Sequence, residues 1–266
     1  GQFISLESTS YPGTTSEEVV SKLCKKFLIG ENFFIGFSPE REDPGNKKFS
    51  IDKITKVVAG YSKNCLDLMD TLYSIITKTY KVSNLKTAET TKLFENIFRS
   101  VNIGLVNEMK IICDKMKLDV HEIIDAAKTK PFGYMEFRPG PGLGGHCIPI
   151  DPFLLTWKAK EYGVNTRFIE LSGQINNEMP NYVCNKIVNH FAKTTINGKP
   201  KILIIGLSYK KNTDDIREAP SLKIIEILNK INFEIVYYDD YFPKFPKSRN
   251  CNFTKKKYDI YKNKMK

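Results

Sequence analysis

The chain has 266 residues, of which 41% are hydrophobic and 12% aromatic, enough for two packed cores. Its apolar runs fall short of the roughly 18 residues that a membrane span needs, and no export signal opens the chain, which favours a cytoplasmic protein. The formal net charge is +11, but residues 244–266 hold nine Lys or Arg against one acid. Because the rest is nearly neutral, nucleic-acid binding is not expected outside this tail.

The first 85 residues are predicted to contain strands and helices in alternation. A strand from Phe3 is followed by a helix at 16–27 and a second strand at 33–38, the order of a parallel α/β unit. Ligands of such units bind beyond the carboxyl ends of the strands. Those ends carry Ser8-Thr9 and Glu40-Arg41. Helices are predicted at 51–58 and 64–76 and a short strand at 80–83.

The middle of the chain is predicted to be helical. Apolar residues recur every three or four positions from Thr87 to Met116 without a proline, which predicts one long helix. A helix at 120–128 and a Gly/Pro-rich loop follow, and the next helix starts with Asp151 as N-cap and Pro152 in the first turn. Another helix is predicted from Pro180 to Thr194.

A second α/β region begins at Lys201. The apolar run 201–207 predicts a buried parallel strand, and a helix at 221–230 and a strand at 234–238 continue the pattern. From about Pro246 the composition turns to Lys, Asn and Tyr, and we expect this tail to be disordered or poorly packed.

Cys147 is the candidate nucleophile. The six cysteines are far apart and form no Cys-x-x-Cys pair, so neither a metal site nor a disulfide framework is expected. Only Cys147 follows a glycine-rich loop and precedes a helix start, where a thiolate is favoured and a substrate can enter. A buried structural cysteine is an equally good interpretation of the spacing alone.

A glycine motif and a pair of polar residues on the long helix each have two interpretations. Gly140-Pro-Gly-Leu-Gly-Gly145 matches G-x-G-x-x-G but follows no predicted strand, so it is not a dinucleotide fingerprint. Its glycines favour close approach of the backbone to a ligand, and a merely flexible loop is the alternative. Lys92 and Asn96 share one face of the long helix, where a lysine is most often simply solvated.

Five segments, in order, resemble the UDP-glucose/GDP-mannose dehydrogenase family. They are Glu7-Ser-Thr-Ser-Tyr-Pro-Gly-Thr-Thr, Ser38-Pro-Glu-Arg-Glu-Asp-Pro-Gly, Lys92-Leu-Phe-Glu-Asn, Gly142-Leu-Gly-Gly-His-Cys-Ile-Pro-Ile-Asp and Gly206-Leu-Ser-Tyr-Lys-Lys-Asn-Thr-Asp-Asp-Ile-Arg-Glu-Ala-Pro-Ser. The resemblance runs from about Phe3 to Pro243, and the sequences of the motifs are most similar to the branch acting on UDP-N-acetylhexosamines. It implies NAD-dependent four-electron oxidation of the sugar C6 hydroxyl to a carboxylate, through a cysteine thiohemiacetal and thioester.

The resemblance also implies a role for each matched residue. Cys147 is the nucleophile, Lys92 and Asn96 stabilise oxyanion charge, Asp151 handles protons and water, and Glu40 assists thioester hydrolysis. Cofactor contacts are expected from Ser8, Thr9 and Arg217. Substrate contacts are expected from Arg41, Arg138, Gly140, Gly142, Gly144, Tyr209 and Lys210. No metal is expected.

The resemblance implies an α/β fold in three parts. These are a partial Rossmann-type NAD domain (1–85) holding the second half only, a central helical domain for dimerisation and catalysis (86–196), and a partial Rossmann-like UDP-binding domain (197–266). We expect a homodimer through the long helix, which is apolar on more than one side. The family's first strand and glycine-rich phosphate turn, and its last strands with a further substrate-binding arginine, are not found in this sequence.

Three other functions compete with this one. The absent phosphate turn favours a sugar-nucleotide-binding or dimerisation fragment without catalysis. The basic tail could bind nucleic acid, in which case deleting residues beyond Pro243 should remove the binding. A cysteine hydrolase is disfavoured because His146 adjoins the thiol in sequence instead of facing it.

Overall fold

The computed structural model describes residues 1–42, 49–194 and 198–246, and the backbone of Lys256–Lys257. The chain folds into two compact units. The first comprises Gly1–Arg99 and Ile150–Glu170, and the second comprises Ser100–Pro149 and Leu171–Lys266. The three-part division after residues 85 and 196 stays a prediction.

The first unit contains a four-stranded sheet in the order β1 (Gln2–Leu6), β2 (Phe33–Phe37), β3 (Lys56–Gly60), β4 (Thr79–Lys81). The first two strands are parallel, as predicted, with Ile4 paired to Ile35. β3 runs antiparallel to β2 and parallel to β4. The two loops that follow β1 and β2 therefore emerge at the same edge of the sheet.

The predicted helix at 51–58 is wrong. Only Ile51–Lys53 form a 3-10 turn, and Lys56–Gly60 are a strand. Val57 and Val58 are fully or almost fully buried within the sheet. Pairing of this segment with β2 and β4 therefore determines its structure, although its apolar spacing predicted a helix. β-branched side chains pack well on such a surface.

The predicted helix at 16–27 starts earlier and ends sooner. A π-helical segment, Thr14–Val20, runs into the single turn α1 (Ser21–Leu23). Its start is held by Glu89, whose carboxylate accepts hydrogen bonds from the N–H groups of Gly13 (2.6 Å) and Thr15 (2.8 Å) and from the Thr15 hydroxyl (2.7 Å). Glu89 thus satisfies N–H groups that a helix start leaves without a partner.

The predicted helix at 64–76 is confirmed, and the predicted long helix is confirmed. The helices are α2 (Lys63–Ser74), α3 (Leu85–Met116), α4 (Val120–Ala127), α5 (Asp151–Glu161) and α6 (Arg167–Ala192). Side-chain caps fix two of them: Ser62 Oγ accepts from Cys65 N at the start of α2, and Asp119 accepts from His121 N at the start of α4. These polar residues with extended backbone are typical N-caps.

The predicted helix start at Pro180 is wrong, since Pro180 lies inside the 26-residue helix α6. An interior proline costs about 3 kcal/mol because its ring removes one helical hydrogen bond. Pro180 and Met179 are both buried, so packing on this face offsets that cost. Local preference predicted a boundary that tertiary packing overrides.

The second unit holds a parallel sheet of β5 (Lys201–Ile205), β6 (Glu234–Tyr238) and β7 (Lys256–Lys257). Helix α7 (Pro220–Lys230) packs on it through Ile225 and Leu228, which are fully buried with Leu207 and Tyr237. The expected disorder of the lysine-rich tail falls largely on residues 247–255 and 258–266, outside the described residues. Only the two-residue strand β7 is described there.

Candidate active site

In the first unit, predicted site residues lie just beyond the carboxyl ends of β1 and β2. Ser8 is exposed and Thr9 half-buried after β1, and Glu40 and Arg41 follow β2. The same edge carries Ser10 and Ser38, whose hydroxyls are the only buried side-chain N or O atoms among the described residues that have no hydrogen-bond partner. Such unsatisfied groups are costly unless a ligand or water completes them.

The Glu40 carboxylate is held from both sides. Glu42 N donates to Oε1 (2.6 Å), and the Lys56 ammonium lies 3.4 Å from Oε2. Burial alone would raise the pKa of Glu40, but the Glu42 N–H and the positive charge of Lys56 outweigh it, so the pKa is lowered. Glu40 is therefore an ionised, partly exposed carboxylate near neutral pH.

Arg41 is engaged within the protein. Its Nη1 donates to the carbonyl of Thr55 (2.6 Å), and its Nη2 lies 2.8 Å from Oε1 of Glu95. The guanidinium thereby fastens the loop after β2 to the start of β3 and to α3. A substrate contact from Arg41 stays a prediction, and the structure adds this anchoring role.

Asn96 and Asp151 form a buried pair in the first unit. Asn96 Nδ2 donates to Asp151 Oδ2 at 2.5 Å, and both residues are at most 5% exposed. Asp151 is the first residue of α5, not its N-cap, and Ile150 holds the cap position. Lys92 is half-buried one turn before Asn96 on α3. A carboxylate buried with an amide donor can accept or hold a proton in place.

In the second unit, the glycine-rich loop packs against Tyr209. A Cβ at Gly144 would lie 2.3 Å from the Tyr209 Cβ, and one at Gly145 would lie 2.9 Å from its ring. Gly145 has φ of +89° and donates its N–H to the carbonyl of Arg217 (2.8 Å). Only glycine allows this approach. The structure thus brings Gly144, Tyr209 and Arg217 together, with Lys210 half-buried next in sequence.

Two buried asparagines fix the other end of this loop. Gly140 N donates to Asn107 Oδ1 (2.9 Å), Asn107 Nδ2 donates to Asn176 Oδ1 (2.9 Å), and Asn176 Nδ2 donates to the Ser100 carbonyl (3.0 Å). Gly142 has φ of +128° beside Asn176. The chain of amides ties the loop to α3 and α6.

Arg138 lies before this loop and is bound to neighbouring acids. Its Nη2 lies 2.5 Å from Asp125 Oδ1, and its Nε donates to Glu136 Oε1 (2.8 Å). The guanidinium is partly exposed, so a substrate contact would have to compete with both carboxylates.

Cys147 is half-buried at the end of the glycine-rich loop. The Asp215 carboxylate chiefly raises the pKa of the Arg217 guanidinium, and the charge of Cys147 adds a smaller effect in the same direction. Arg217, predicted to contact the dinucleotide, is bound by Asp215 and lies in the same unit as Cys147.

The sequence interpretation missed several of these residues. Lys56, Asn107 and Asn176 are ordinary polar residues far from their partners in sequence, so no local signal identifies them. Gly145 was detectable as the second of two adjacent glycines in the motif. Among the described residues, no cluster of His, Cys, Asp or Glu suits a metal ion. No helix in the described ranges is both long and apolar enough to cross a membrane.

Comparisons with known proteins identify the family. The central-domain profile of the UDP-glucose/GDP-mannose dehydrogenase family matches residues 86–178, and that family's UDP-binding-domain profile matches residues 203–264, including much of the basic tail. A UDP-N-acetyl-D-glucosamine 6-dehydrogenase of Pseudomonas aeruginosa is 38% identical over 245 residues, covering 90% of this chain and 57% of that protein.

Two archaeal proteins are also similar. A UDP-N-acetyl-D-mannosamine dehydrogenase of Methanococcus vannielii is 34% identical over 246 residues, covering 92% of this chain and 55% of that protein. The solved structure of a UDP-D-ManNAc dehydrogenase from Pyrococcus horikoshii matches with a TM-score of 0.84 and 32% identity, over 93% of this chain and 59% of that one. The chain spans little more than half the length of these relatives. With both family profiles matched in order and the fold shared, the chain belongs to the UDP-glucose/GDP-mannose dehydrogenase family.

Proposed function

We propose that this chain is the catalytic portion of an NAD-dependent UDP-sugar 6-dehydrogenase acting on a UDP-N-acetylhexosamine. The named relatives include enzymes for UDP-N-acetylglucosamine and UDP-N-acetylmannosamine, which supports this substrate class. The observation that carries the proposal is the buried Asn96–Asp151 hydrogen bond, since it joins two residues that are far apart in sequence and that both match catalytic positions of the family. We also propose the three-part division into NAD-binding (1–85), helical (86–196) and UDP-binding (197–266) segments.

The proposed reaction removes four electrons from the C6 alcohol. Bound NAD would supply the oxidant, one hydride being lost to it in each of two oxidations. The thiolate of Cys147 adds to the intermediate aldehyde and holds it as a thiohemiacetal, which becomes a thioester in the second oxidation. Lys92 and Asn96 stabilise the negative charge on the C6 oxygen, an effect worth about 3 kcal/mol per donor. Asp151 accepts protons, and Glu40 activates the water that releases the carboxylate.

Part of the dinucleotide site is compatible with the described residues. The unpartnered hydroxyls of Ser10 and Ser38, with Ser8 and Thr9, lie at the carboxyl edge of two parallel strands, where such ligands bind. Among the described residues, no strand leads directly into a glycine-rich turn.

UDP-sugar binding is proposed for the second unit. Tyr209, Lys210 and the backbone N–H groups of residues 138–144 would contact the ligand, because backbone amides in glycine-rich loops suit phosphate oxygens. Most of the basic tail, up to residue 264, lies within the segment that the UDP-binding profile matches, which favours this role over nucleic-acid binding. We propose that the protein acts in the cytoplasm, where its nucleotide ligands are found.

Mutation of the nucleophile tests the proposed function. Cys147→Ser should abolish formation of the uronate from UDP-N-acetylglucosamine or UDP-N-acetylmannosamine and limit NADH to at most one per sugar, because a serine hydroxyl does not form the thioester. Cys24→Ser, which changes an exposed cysteine, should leave NADH formation unaltered. Formation of the uronate with two NADH per sugar at the wild-type rate by Cys147→Ser would contradict the proposed function.

A second candidate is a sugar-nucleotide-binding module without catalysis. It is favoured by the length of the chain, which covers little more than half of its relatives. Titration calorimetry with UDP-sugar and with NAD separately distinguishes the two: the enzyme binds both, whereas the module binds only the UDP-sugar.

A further inference from the structure

Lys56 is a buried cation that the proposed mechanism does not use. Its residue is only 7% exposed, and its ammonium lies 3.3 Å from Glu7 Oε2 and 3.4 Å from Glu40 Oε2. It also lies over the ring of Tyr73, 4.9 Å from the centroid. A buried ammonium is retained only where partners compensate its desolvation, and here three groups do so.

The contacts of Lys56 join two loops at the carboxyl edge of the sheet. Glu7 follows β1, Glu40 follows β2, and Glu40 N donates to the Glu7 carbonyl (3.3 Å). Tyr73 on α2 donates its hydroxyl to Glu7 and is bonded to Ser5. Lys56 therefore occupies the centre of a cluster whose outer member is the predicted hydrolytic carboxylate.

We propose that Lys56 is a positioning residue that keeps the Glu40 carboxylate ionised and oriented to activate water. The inference rests on the proposed function, in which Glu40 takes a proton from the water that attacks the thioester. With Oε1 fixed by Glu42 N and Oε2 directed to Lys56, the carboxylate has little rotational freedom. A cavity of about 10 Å³, the size of one water, is lined by Glu40, Arg41 and Lys56.

The charged groups around Glu40 have opposing effects. Burial opposes the ionised form, whereas the N–H groups of Glu42 and Arg41 and the charge of Lys56 favour it. Glu7 shares the Lys56 ammonium with Glu40, and a like charge there also disfavours ionisation of Glu40. Burial first, and then Glu7, raise the pKa of Tyr73, so its phenol stays protonated and donates to Glu7. Because the Tyr73 hydroxyl already donates to Glu7, the ion pair between Glu7 and the Lys56 ammonium is weakened, and Lys56 interacts more strongly with Glu40.

The hydrolytic step needs an ionised Glu40 for a simple reason. As the water oxygen bonds to the thioester carbon, its proton passes to Glu40, the C–S bond breaks, and the sulfur leaves as the Cys147 thiolate. No electrons are gained or lost. A protonated Glu40 cannot accept that proton, so the rate should fall with the ionised fraction.

Carboxyl 13C NMR of the full chain tests the role of Lys56 directly. Lys56→Met, which keeps the length of the buried side chain but removes its charge, should raise the proton affinity of Glu40 at least about threefold, since an adjacent positive charge is lost. Lys56→Arg should restore the wild-type titration. Lys53→Met, on an exposed lysine of the same segment, should have no effect.

The test separates this inference from the proposed function. If the wild type forms no NADH, the enzyme proposal fails, but the Glu40 titration still decides whether Lys56 keeps it ionised. In active protein, Lys56→Met should move the acidic limb of the plot of kcat against pH to higher pH. Lys56→Arg should keep that limb at its wild-type position.

A second variant tests the inference if Lys56→Met does not fold. Glu7→Gln removes the competing carboxylate and should lower the proton affinity of Glu40, because Lys56 then forms an ion pair with Glu40 alone. An unchanged Glu40 titration in folded Lys56→Met, or in Glu7→Gln, would overturn the inference.

Discussion

Glu89 is the residue whose burial best explains the start of the Thr14–Val20 segment. It is fully buried, and its two oxygens accept three hydrogen bonds from Gly13 and Thr15. Charge-assisted bonds to backbone N–H groups are stronger than neutral ones. The segment takes its unusual π-helical form where a side chain of α3, not its own residues, satisfies its first N–H groups.

Replacing Glu89 by Gln should therefore destabilise the protein. The amide turns one acceptor into a donor that faces Gly13 or Thr15, so about 2–3 kcal/mol of unfolding free energy should be lost in urea denaturation. Glu108→Gln, at an exposed position on the same helix, should change the unfolding free energy by less than about 0.5 kcal/mol. Equal stability of the two variants would contradict the capping role.

Gly144 is the residue at which the loop approaches Tyr209 most closely. Gly144→Ala would place a methyl group 2.3 Å from the Tyr209 Cβ, so loop or tyrosine must move, at a cost of about 1–3 kcal/mol. We expect weaker binding of a UDP-sugar by calorimetry together with lower stability. Gly140→Ala, which has open space around it, should leave stability near wild type. A fully stable Gly144→Ala would contradict the close approach.

At the scale of elements, an ion cluster joins α3 to α6 within the second unit. Asp114 on α3 lies 2.7 Å from the ammonium groups of Lys110 and Lys186 and accepts from the Tyr182 hydroxyl. Burial opposes ionisation, but these donors outweigh it, and the pKa of Asp114 lies well below its usual range. Burial and the bond to Asp114 raise the pKa of Tyr182 to about 12.

This cluster predicts a pH-dependent stability. Because the folded pKa of Asp114 is depressed, its stabilisation is present above the unfolded value of about 3.9 and is lost as the pH falls toward the folded pKa. Asp114→Asn should cost about 2 kcal/mol at pH 7, and the difference from wild type should shrink below about pH 4. Denaturation curves at pH 7 and pH 3 measure both. Glu178→Gln, exposed on α6, should show no such pattern.

At the scale of the whole molecule, helix α3 carries large exposed apolar side chains. Phe94, Phe98, Leu105 and Ile112 are all more than 40% exposed. Spacings of four and seven residues place them along one side of the helix, as in helix–helix interfaces. This stripe supports the predicted homodimer through α3.

Sedimentation equilibrium should give a dimer for the wild type. Leu105→Glu puts a charge into the stripe and should lower the mass to that of a monomer, because an unpaired charge is not tolerated in an apolar interface. Lys115→Glu, which changes charge in the last turn of the same helix, should stay dimeric. A wild-type monomer at all concentrations would contradict the predicted interface.

The sequence by itself determined the family, the α/β class and the long helix, and it predicted the candidate site residues, because contiguous motifs and helical periodicity are local properties. Only the tertiary structure decided that Val57 and Val58 lie in a strand, that Pro180 lies within a helix, and that Lys56, Glu89 and Asn107 serve residues far away in sequence. Their contacts depend on which elements pack together, and the burial that makes them strong exists only after folding.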